Sequence, residues 1–483
     1  MFHVKQSDEG LPSLRAGETH TVTVSGTTIE GDGIARIGGQ VVFIPGALEA
    51  ERCEIRITHV GRRAAYAELR RILEPSAHRI LPDCPYHAQC GGCALRHMDY
   101  EAELAVKKQH VLDCLRRIGG VEMEDISIYG SAEQEHYRNK VQFPVQEQDG
   151  RVAAGFFRAG THIVTDIGSC RIQPPCADRI RGAVLAWMQK YRIRAYNEQT
   201  HTGYIRHIYI RRGAVSGQIL VCIAANCRKL PKQDALVRTV LAAEPGVTTI
   251  VFTPNEARGN TVLGTEFFPL YGSGTIEDTL CGLTFRLSAP AFYQVNHAQA
   301  ERLYDAALRY AGLTGRETVL DLYCGTGTIT LCLARQAKQA VGVELIPQAV
   351  EDARENARRN GIANARFFCT DAGQAAQRFC AEGTQPDVIV VDPPRKGVSA
   401  DVIDAIDAMR PPRVVYVSCN AATLARDVKL LTERGYRLAA AEAYDLFPRC
   451  AHVETVCCLY HQKKDFISVP YEPKDDGYMN QLK

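Results

Sequence analysis

No run in these 483 residues approaches the roughly 18 consecutive apolar residues that a membrane-spanning helix needs. The opening MFHVKQSDEGLPSL has no apolar core of the kind that drives export. The expectation is a cytoplasmic protein with no membrane partner. Charge of one sign is also missing: 57 Lys and Arg against 55 Asp and Glu leave a formal net charge of +2. That balance excludes nothing, since a polyanionic partner is bound by clustered charge. Internal repeats are absent, which sets aside solenoids and arrays.

What is present is an ordinary globular composition, 46% hydrophobic and 23% charged. The length implies two to four domains. Basic pairs occur at Arg62-Arg63, Arg70-Arg71, Lys107-Lys108, Arg116-Arg117 and Arg211-Arg212. Each alone reads as solvated surface; as a set they are candidates for RNA contact. Eighteen cysteines do not make a disulfide framework in a chain this long. Cys222, Cys457 and Cys458 sit in apolar strand-like runs and read as small buried hydrophobes. Cys84, Cys90, Cys93 and Cys419 have different surroundings.

Residues 17–75 alternate apolar and polar positions between glycine turns at Gly31-Asp32-Gly33 and Gly38-Gly39, as short strands of a small five-stranded, oligonucleotide-binding-like barrel do. The pattern GDGIAR…GGQVVFIPGAL resembles a TRAM domain, an RNA-binding barrel; by pattern alone it could equally be a protein-interaction module. Residues 76–285 read as a central α+β region that opens on the cysteine cluster, with a helix over 99–118 closed by Gly119-Gly120. Residues 286–461 alternate strands and helices, implying a Rossmann-like α/β domain with a parallel sheet. The 462–483 tail is polar. The expected fold is therefore multidomain.

ETVLDLYCGTGTITLCLARQ at 317–336 is a strand, a glycine turn and a helix. Glycines there let a ligand lie against the backbone at the strand end. The next strand ends at Glu344, an acid placed to accept hydrogen bonds from both hydroxyls of a ribose. A dinucleotide fold would want a third glycine in G-x-G-x-x-G, and position 330 is Thr. Asp321-x-x-Cys324-Gly325-Thr326-Gly327 resembles instead the S-adenosylmethionine loop of class I methyltransferases. In that fold an acid such as Asp371, after the third strand, lies near the adenine; a plain helix-cap Asp is the alternative.

Two further sets end strands, Asp392-Pro393-Pro394-Arg395-Lys396-Gly397 and Ser418-Cys419-Asn420, and a later strand carries Phe447-Pro448-Arg449 and then His452-Val453-Glu454. Functional groups in open α/β sheets gather at the carboxyl ends of strands, so one site is expected. With the barrel, the cysteine cluster and the cofactor loop, these motifs resemble the RNA uracil-C5 methyltransferase family over nearly the whole chain, and its bacterial 23S ribosomal RNA branch in particular. The resemblance implies methylation of a uridine in 23S rRNA. Carbon 5 of uracil is too weak a nucleophile to take a methyl group unaided, and a thiolate added at carbon 6 activates it. Cys419 is the expected thiol, Glu454 the base that removes the carbon 5 proton, and Asp392 a partner of the uracil edge or the cofactor. The resemblance also places Gln294 and Tyr323 against the cofactor. Thr328 stands where some relatives carry Asn and is left out of the site.

Cys84-x5-Cys90-x2-Cys93 puts three thiols on one loop, with Cys170 as the expected fourth ligand and Cys176 as its rival. Four thiolates suit zinc or an iron–sulfur cluster; the resemblance implies [4Fe–4S]. Other readings are uracil methylation of tRNA, an amino-methyltransferase, which would leave Cys419 idle, and a non-catalytic RNA-binding or assembly protein. No obligate protein partner is expected.

Overall fold

The computed structural model describes residues 14–462; nearly all of the 462–483 tail lies outside them. The first unit has six strands: β1 (Thr19–Thr23), β2 (Gly26–Thr27), β3 (Asp32–Ile37), β4 (Gln40–Pro45), β5 (Arg52–Val60) and β6 (Ala64–Glu74), ordered β1-β5-β6-β4-β3-β2. The two outer strands are consecutive in the chain, and Ser25 between them donates to Ile34 O (2.7 Å), which turns the sheet back on itself and hides its edges. The sixth strand is the two-residue β2. Alternation sends Val42, Ile44, Cys53, Ile55 and Ile57 inward.

Helix α1 (Tyr100–Arg117) starts where the Asp99 side chain accepts from Ala102 N (2.8 Å). Next comes the three-residue strand β7 (Ser127–Tyr129). The central sheet is built from β8 (Lys140–Gln148), β9 (Arg151–Phe157), β10 (Val164–Asp166), β11 (Ile205–Arg212), β12 (Ile219–Ala225), β13 (Val247–Pro254) and β14 (Phe268–Tyr271), ordered β10-β9-β8-β11-β12-β13-β14. Helices α2 (Pro175–Tyr191) and α3 (Gln233–Ala243) cover one face, burying Trp187, Met188 and Leu236 against Val141, Phe143 and Ile208. A hairpin, β15 (Ile276–Leu280) and β16 (Leu283–Leu287), leads to α4 (His297–Ala311).

The last sheet comprises β17 (Thr318–Leu322), β18 (Gln339–Glu344), β19 (Ala365–Cys369), β20 (Val388–Val391), β21 (Arg413–Ser418), β22 (Tyr436–Tyr444) and β23 (Glu454–His461). Its order is β19-β18-β17-β20-β21-β23-β22, with β7 as the eighth strand, parallel to β22. The pairs from β19 through β21 are parallel, and β23 runs antiparallel between β21 and β22. Helices α5 (Thr328–Ala334), α6 (Pro347–Arg359), α7 (Ala372–Ala381), α8 (Ala400–Met409) and α9 (Ala421–Thr432) flank it. Its central strands are apolar on both faces, as parallel strands covered twice must be: Val388, Ile389, Val390 and Val391 are all buried.

Residues far upstream thus complete this sheet. Lys107 of α1 lies wholly buried between Glu103 Oε1 and Asp445 Oδ1, each at 2.7 Å, and also donates to Phe447 O. Burial opposes its charge, but Asp445 and Glu103 outweigh that and hold the ammonium above its ordinary value. Lys107 therefore belongs to the interior, as does Arg211, which donates to Tyr209 Oη and Ala291 O. Neither is available for the RNA contact expected of their basic pairs.

Candidate active site

One cavity of about 900 Å³ lies at the edge of the last sheet, with a wall from the central sheet. Cys419, Glu454, Asp392, Gln294, Tyr323, Glu344 and Asp371 all line it. Register explains how residues so distant in sequence meet. Leu322, Val391 and Tyr416 are successive neighbours across β17, β20 and β21, so the loops that follow these strands open side by side.

The third set reaches the same edge by another route. The sequence pattern put Phe447-Pro448-Arg449 in a strand, but residues 445–453 are the loop between β22 and β23. Glu454 is the first residue of β23, at its amino end. Because β23 is antiparallel to β21, that end lies beside the carboxyl end of β21. Ser418 pairs with Thr455, which sets Cys419 and Glu454 across from each other. The loop is held by Arg449, whose backbone is left-handed (φ 70°), whose N–H donates to Glu103 Oε1 (2.6 Å) and whose guanidinium donates to Met98 O and Gln134 Oε1. A bulky residue at positive φ needs such anchoring.

Cys419 is half-buried, and Asn420 immediately caps α9 by accepting from Ala422 N and Thr423 N, which fixes the sulfur at the helix start. Burial pushes the thiol up to about 11, helped by Glu454 and Asp392 and opposed by Arg395. Glu454 is only 4% exposed. Burial, then Asp392, pushes its carboxyl up to about 8, with Arg395 opposing. Asp392 rises to about 7 through burial and the nearby Asp321. Asp321 is itself raised to about 7 by burial despite accepting from Thr330 Oγ1 (2.5 Å). Three carboxyls thus share one poorly solvated pocket, and a group with its pKa near neutrality suits proton transfer.

At the other end Gly325 (φ 55°) donates its N–H to Glu344 Oε2 (3.1 Å), while Glu344 Oε1 accepts from Ile346 N (2.9 Å). Gly327 (φ 81°) opens α5, and a Cβ there would sit 3.1 Å from Phe367, so glycine is favoured. Tyr323 holds a left-handed φ of 80° beside the cavity. Asp371 accepts from Gly373 N and Gln374 N to cap α7; it is a helix cap that also faces the cavity. Gln294 is buried, and its backbone carbonyl accepts from Asn139 Nδ2 (2.7 Å).

Several lining residues were not singled out from sequence. Burial, with Arg211 and Arg138 nearby, depresses the Lys140 amine to about 8. Arg138 packs over the Phe447 ring at 5.5 Å. Arg395 bonds to Nε2 of His452 at 3.1 Å, an imidazole that burial and Arg395 keep neutral. Phe292 stands at the mouth, 58% exposed. Arg395 and His452 fall within motifs already read. Lys140 and Arg138 lie on the central unit, and nothing in their local spacing distinguishes them.

The cysteine loop lies outside this cavity, beside the same 445–453 loop. Gly91 N donates to Phe157 O (3.0 Å), and a Cβ on Gly91 would meet Ala159 N at 2.9 Å. Cys93 and Cys170 pack against buried Tyr137, Ile172 and Cys450. Cys450 donates to Gly92 O (3.1 Å) and is hydrogen-bonded to the Cys93 thiol, a fifth sulfur that spacing did not reveal. Burial lifts the Cys170 thiol to about 12, with Cys90 a minor contributor. Burial also raises the Cys90 thiol, with Cys84 a minor contributor. Cys176 is separate, buried in the α2 core. Among the described residues no three such side chains converge closely enough to hold a single metal ion, and no helix is long and apolar enough to cross a membrane.

Residues 275–463 match the family described as tRNA (Uracil-5-)-methyltransferase, and residues 14–69 match the TRAM domain. A protein of Halalkalibacterium halodurans named as an uncharacterized RNA methyltransferase is 41% identical over 439 residues, covering 91% of this chain and 96% of that one. A Bacillus cereus protein of the same description is 40% identical, covering 94% and 99%. The tRNA (uracil-54, C5)-methyltransferase of Pyrococcus abyssi, solved with S-adenosyl-L-homocysteine, shares the fold: TM-score 0.74 at 23% identity, covering 91% of this chain and 99% of that one. The barrel, the sheet order and these matches agree, and the chain belongs to the TRAM-bearing, S-adenosylmethionine-dependent RNA uracil-5-methyltransferase family.

Proposed function

We propose that this chain methylates carbon 5 of a uridine in 23S ribosomal RNA, in the cytoplasm, with Cys419 as covalent nucleophile and Glu454 as base. The carrying observation is that Cys419 and Glu454 face each other across β21 and β23 in the cavity that Glu344, Tyr323 and Asp371 line at its far end. S-adenosylmethionine, when bound there, supplies an electrophilic methyl group. The chain's own residues do the rest. The Cys419 thiol passes its proton to solvent water as its sulfur bonds to carbon 6, and the electron pair of the 5,6 double bond passes into an enolate. Lys140 and Arg395 line the pocket in which that negative charge appears. Once carbon 5 is methylated, Glu454 takes its proton, the double bond re-forms and the sulfur departs. Asp392, raised to about 7, is about half protonated at neutral pH and in that form is able to donate to a uracil oxygen. A base-paired uridine hides carbons 5 and 6 in the stack, so the target must be unpaired or flipped at about a few kcal/mol, and the barrel gives the RNA a second hold.

Cys84, Cys90, Cys93 and Cys170 would supply the four thiolates that a [4Fe–4S] cluster or a zinc ion takes, and the family resemblance favours the cluster. The methyl transfer needs no electron, so the cluster would brace the 84–93 loop against the loop that ends in Glu454.

Mapping 5-methyluridine in cells lacking the protein tests the target. Its loss from 23S rRNA is expected; loss from tRNA alone would transfer the assignment to tRNA, a reading favoured by the shared fold with the archaeal enzyme. Cys419→Ala should abolish methylation while keeping RNA affinity, and Glu454→Gln should trap an enzyme–RNA adduct that survives denaturing electrophoresis. Normal turnover in either variant removes that residue's role.

A further inference from the structure

A second cavity, of about 490 Å³, opens on the central sheet, within the size range of ligand sites. Its lining adjoins that of the catalytic cavity along β8. Along β8, Val141, Phe143 and Val145 enter the core under α2, so Lys140, Gln142, Pro144 and Gln146 share the opposite face. Lys140 and Gln142 line the catalytic cavity; Pro144 and Gln146 line the second. On β11, Tyr209 pairs with Gln142 and His207 with Pro144, so the same face extends across two strands. At about 3.3 Å per residue the path from Lys140 to Gln146 is about 20 Å.

The walls of this second cavity are those of a base site. Nδ1 of His207 is buried and has no hydrogen-bond partner. Burial, with Arg206 beside it, holds the His207 imidazolium down to about 4, so the ring is neutral and has a donor and an acceptor. Phe157 and His162 stack at the rim with centroids 5.3 Å apart. Arg206 lies 4.4 Å over the Tyr196 ring and gives both terminal nitrogens to the carbonyls of Asn255, Ala257 and Gly259, leaving only its buried Nε without a partner. Glu147 pairs with Arg194, and Glu198 with His162. A phosphate would meet two carboxylates here. A base with an exocyclic amine would find acceptors and an aromatic face.

We propose that this groove seats an unpaired, amine-bearing nucleobase a short way along the strand that carries the target uridine. The identity of that strand rests on the proposed function; the groove itself does not.

The test uses equilibrium binding of two synthetic RNAs: a uridine-centred single strand long enough to span both cavities, flanked by adenosine and cytidine, and a trinucleotide confined to the first. Phe157→Ala should weaken the long RNA about tenfold, the scale of one lost base–aromatic stack. It should leave the trinucleotide and S-adenosylhomocysteine unaffected. His207→Phe keeps an aromatic ring, so it should erase the wild type's preference for this RNA over one with flanking uridines. The proposal is overturned if Phe157→Ala binds the long RNA within about twofold of wild type, or loses both RNAs equally, or if wild type prefers neither long RNA. If the groove behaves as expected and no methyl group is transferred, the functional reading falls and the groove stands.

Discussion

Glu454→Gln should stabilise the protein at neutral pH and leave its stability unchanged in acid. The reason lies in where Glu454 sits. Its carboxyl is buried, faces Asp392, and has its pKa moved from an ordinary 4.5 to about 8. The sign follows directly. As pH climbs past 4.5 the unfolded chain ionises this group while the folded chain keeps it protonated. Stability is therefore full below about pH 4.5 and drains until the folded carboxyl ionises near pH 8. Two and a half units separate the ordinary value from pH 7, and at about 1.4 kcal/mol per unit the loss is about 3 kcal/mol. Gln has no proton to lose and keeps nearly the same shape. In a domain of this size each kcal/mol moves the midpoint by about 2–4 °C. The variant should then melt about 6–12 °C above wild type at pH 7, with the two curves converging near pH 4. Differential scanning calorimetry across that range reads it. A gap independent of pH, or a variant less stable at pH 7, would refute the electrostatic account of the pocket. The expected gain accompanies a loss of turnover, the usual trade at a site kept strained for chemistry.

The same carboxyl predicts a pH–rate profile: kcat should rise from about pH 6 and level off above about pH 8, where Glu454 is ionised, and a flat profile would exclude it as the base. Lys107→Met leaves Asp445 buried without a counter-charge and Glu103 with Arg449 alone, so urea titration should show a loss of about 3–5 kcal/mol; Lys108→Met, at an exposed pair with Asp125, should cost under about 1 kcal/mol. Cys90→Ser should abolish the brown colour and iron content expected of the anaerobically purified chain, and stoichiometric zinc in the wild type would overturn the cluster assignment.

Legibility in the sequence followed the range over which each feature is specified. The cofactor loop was readable because a strand, two glycines and an acid lie within one βαβ unit, and each takes its place for local reasons: Gly327 holds a left-handed φ of 81°, and Glu344 is held by the N–H of Gly325. Cys419 was readable because the residues beside it argue against an apolar site, and Asn420 does cap the helix that follows. Cys93 and Cys170 pack against the same small buried cluster, while Cys176, equally near in sequence, lies in the α2 core.

What escaped depends on pairings between distant segments, which no local pattern encodes. Glu454 looks from sequence like a residue at a strand's carboxyl end; it opens its strand, and reaches the catalytic edge because β23 runs antiparallel to its neighbours. Reversing one strand in a parallel sheet brings an amino end to the active edge, so a loop can deliver Phe447, His452 and Glu454 there in one pass. That loop needs an anchor, because Arg449 holds a left-handed backbone. The anchor is α1, more than 300 residues upstream, through Glu103 and Lys107. Lys107 and Arg211 read as surface charge for the same reason that Lys140 did not read as an active-site amine: periodicity tells which way a side chain points within its own element and says nothing of the partner waiting there. A buried cation is identified by its partners, and for Lys107 and Arg211 one of these, Asp445 or the Ala291 carbonyl, comes from a distant segment.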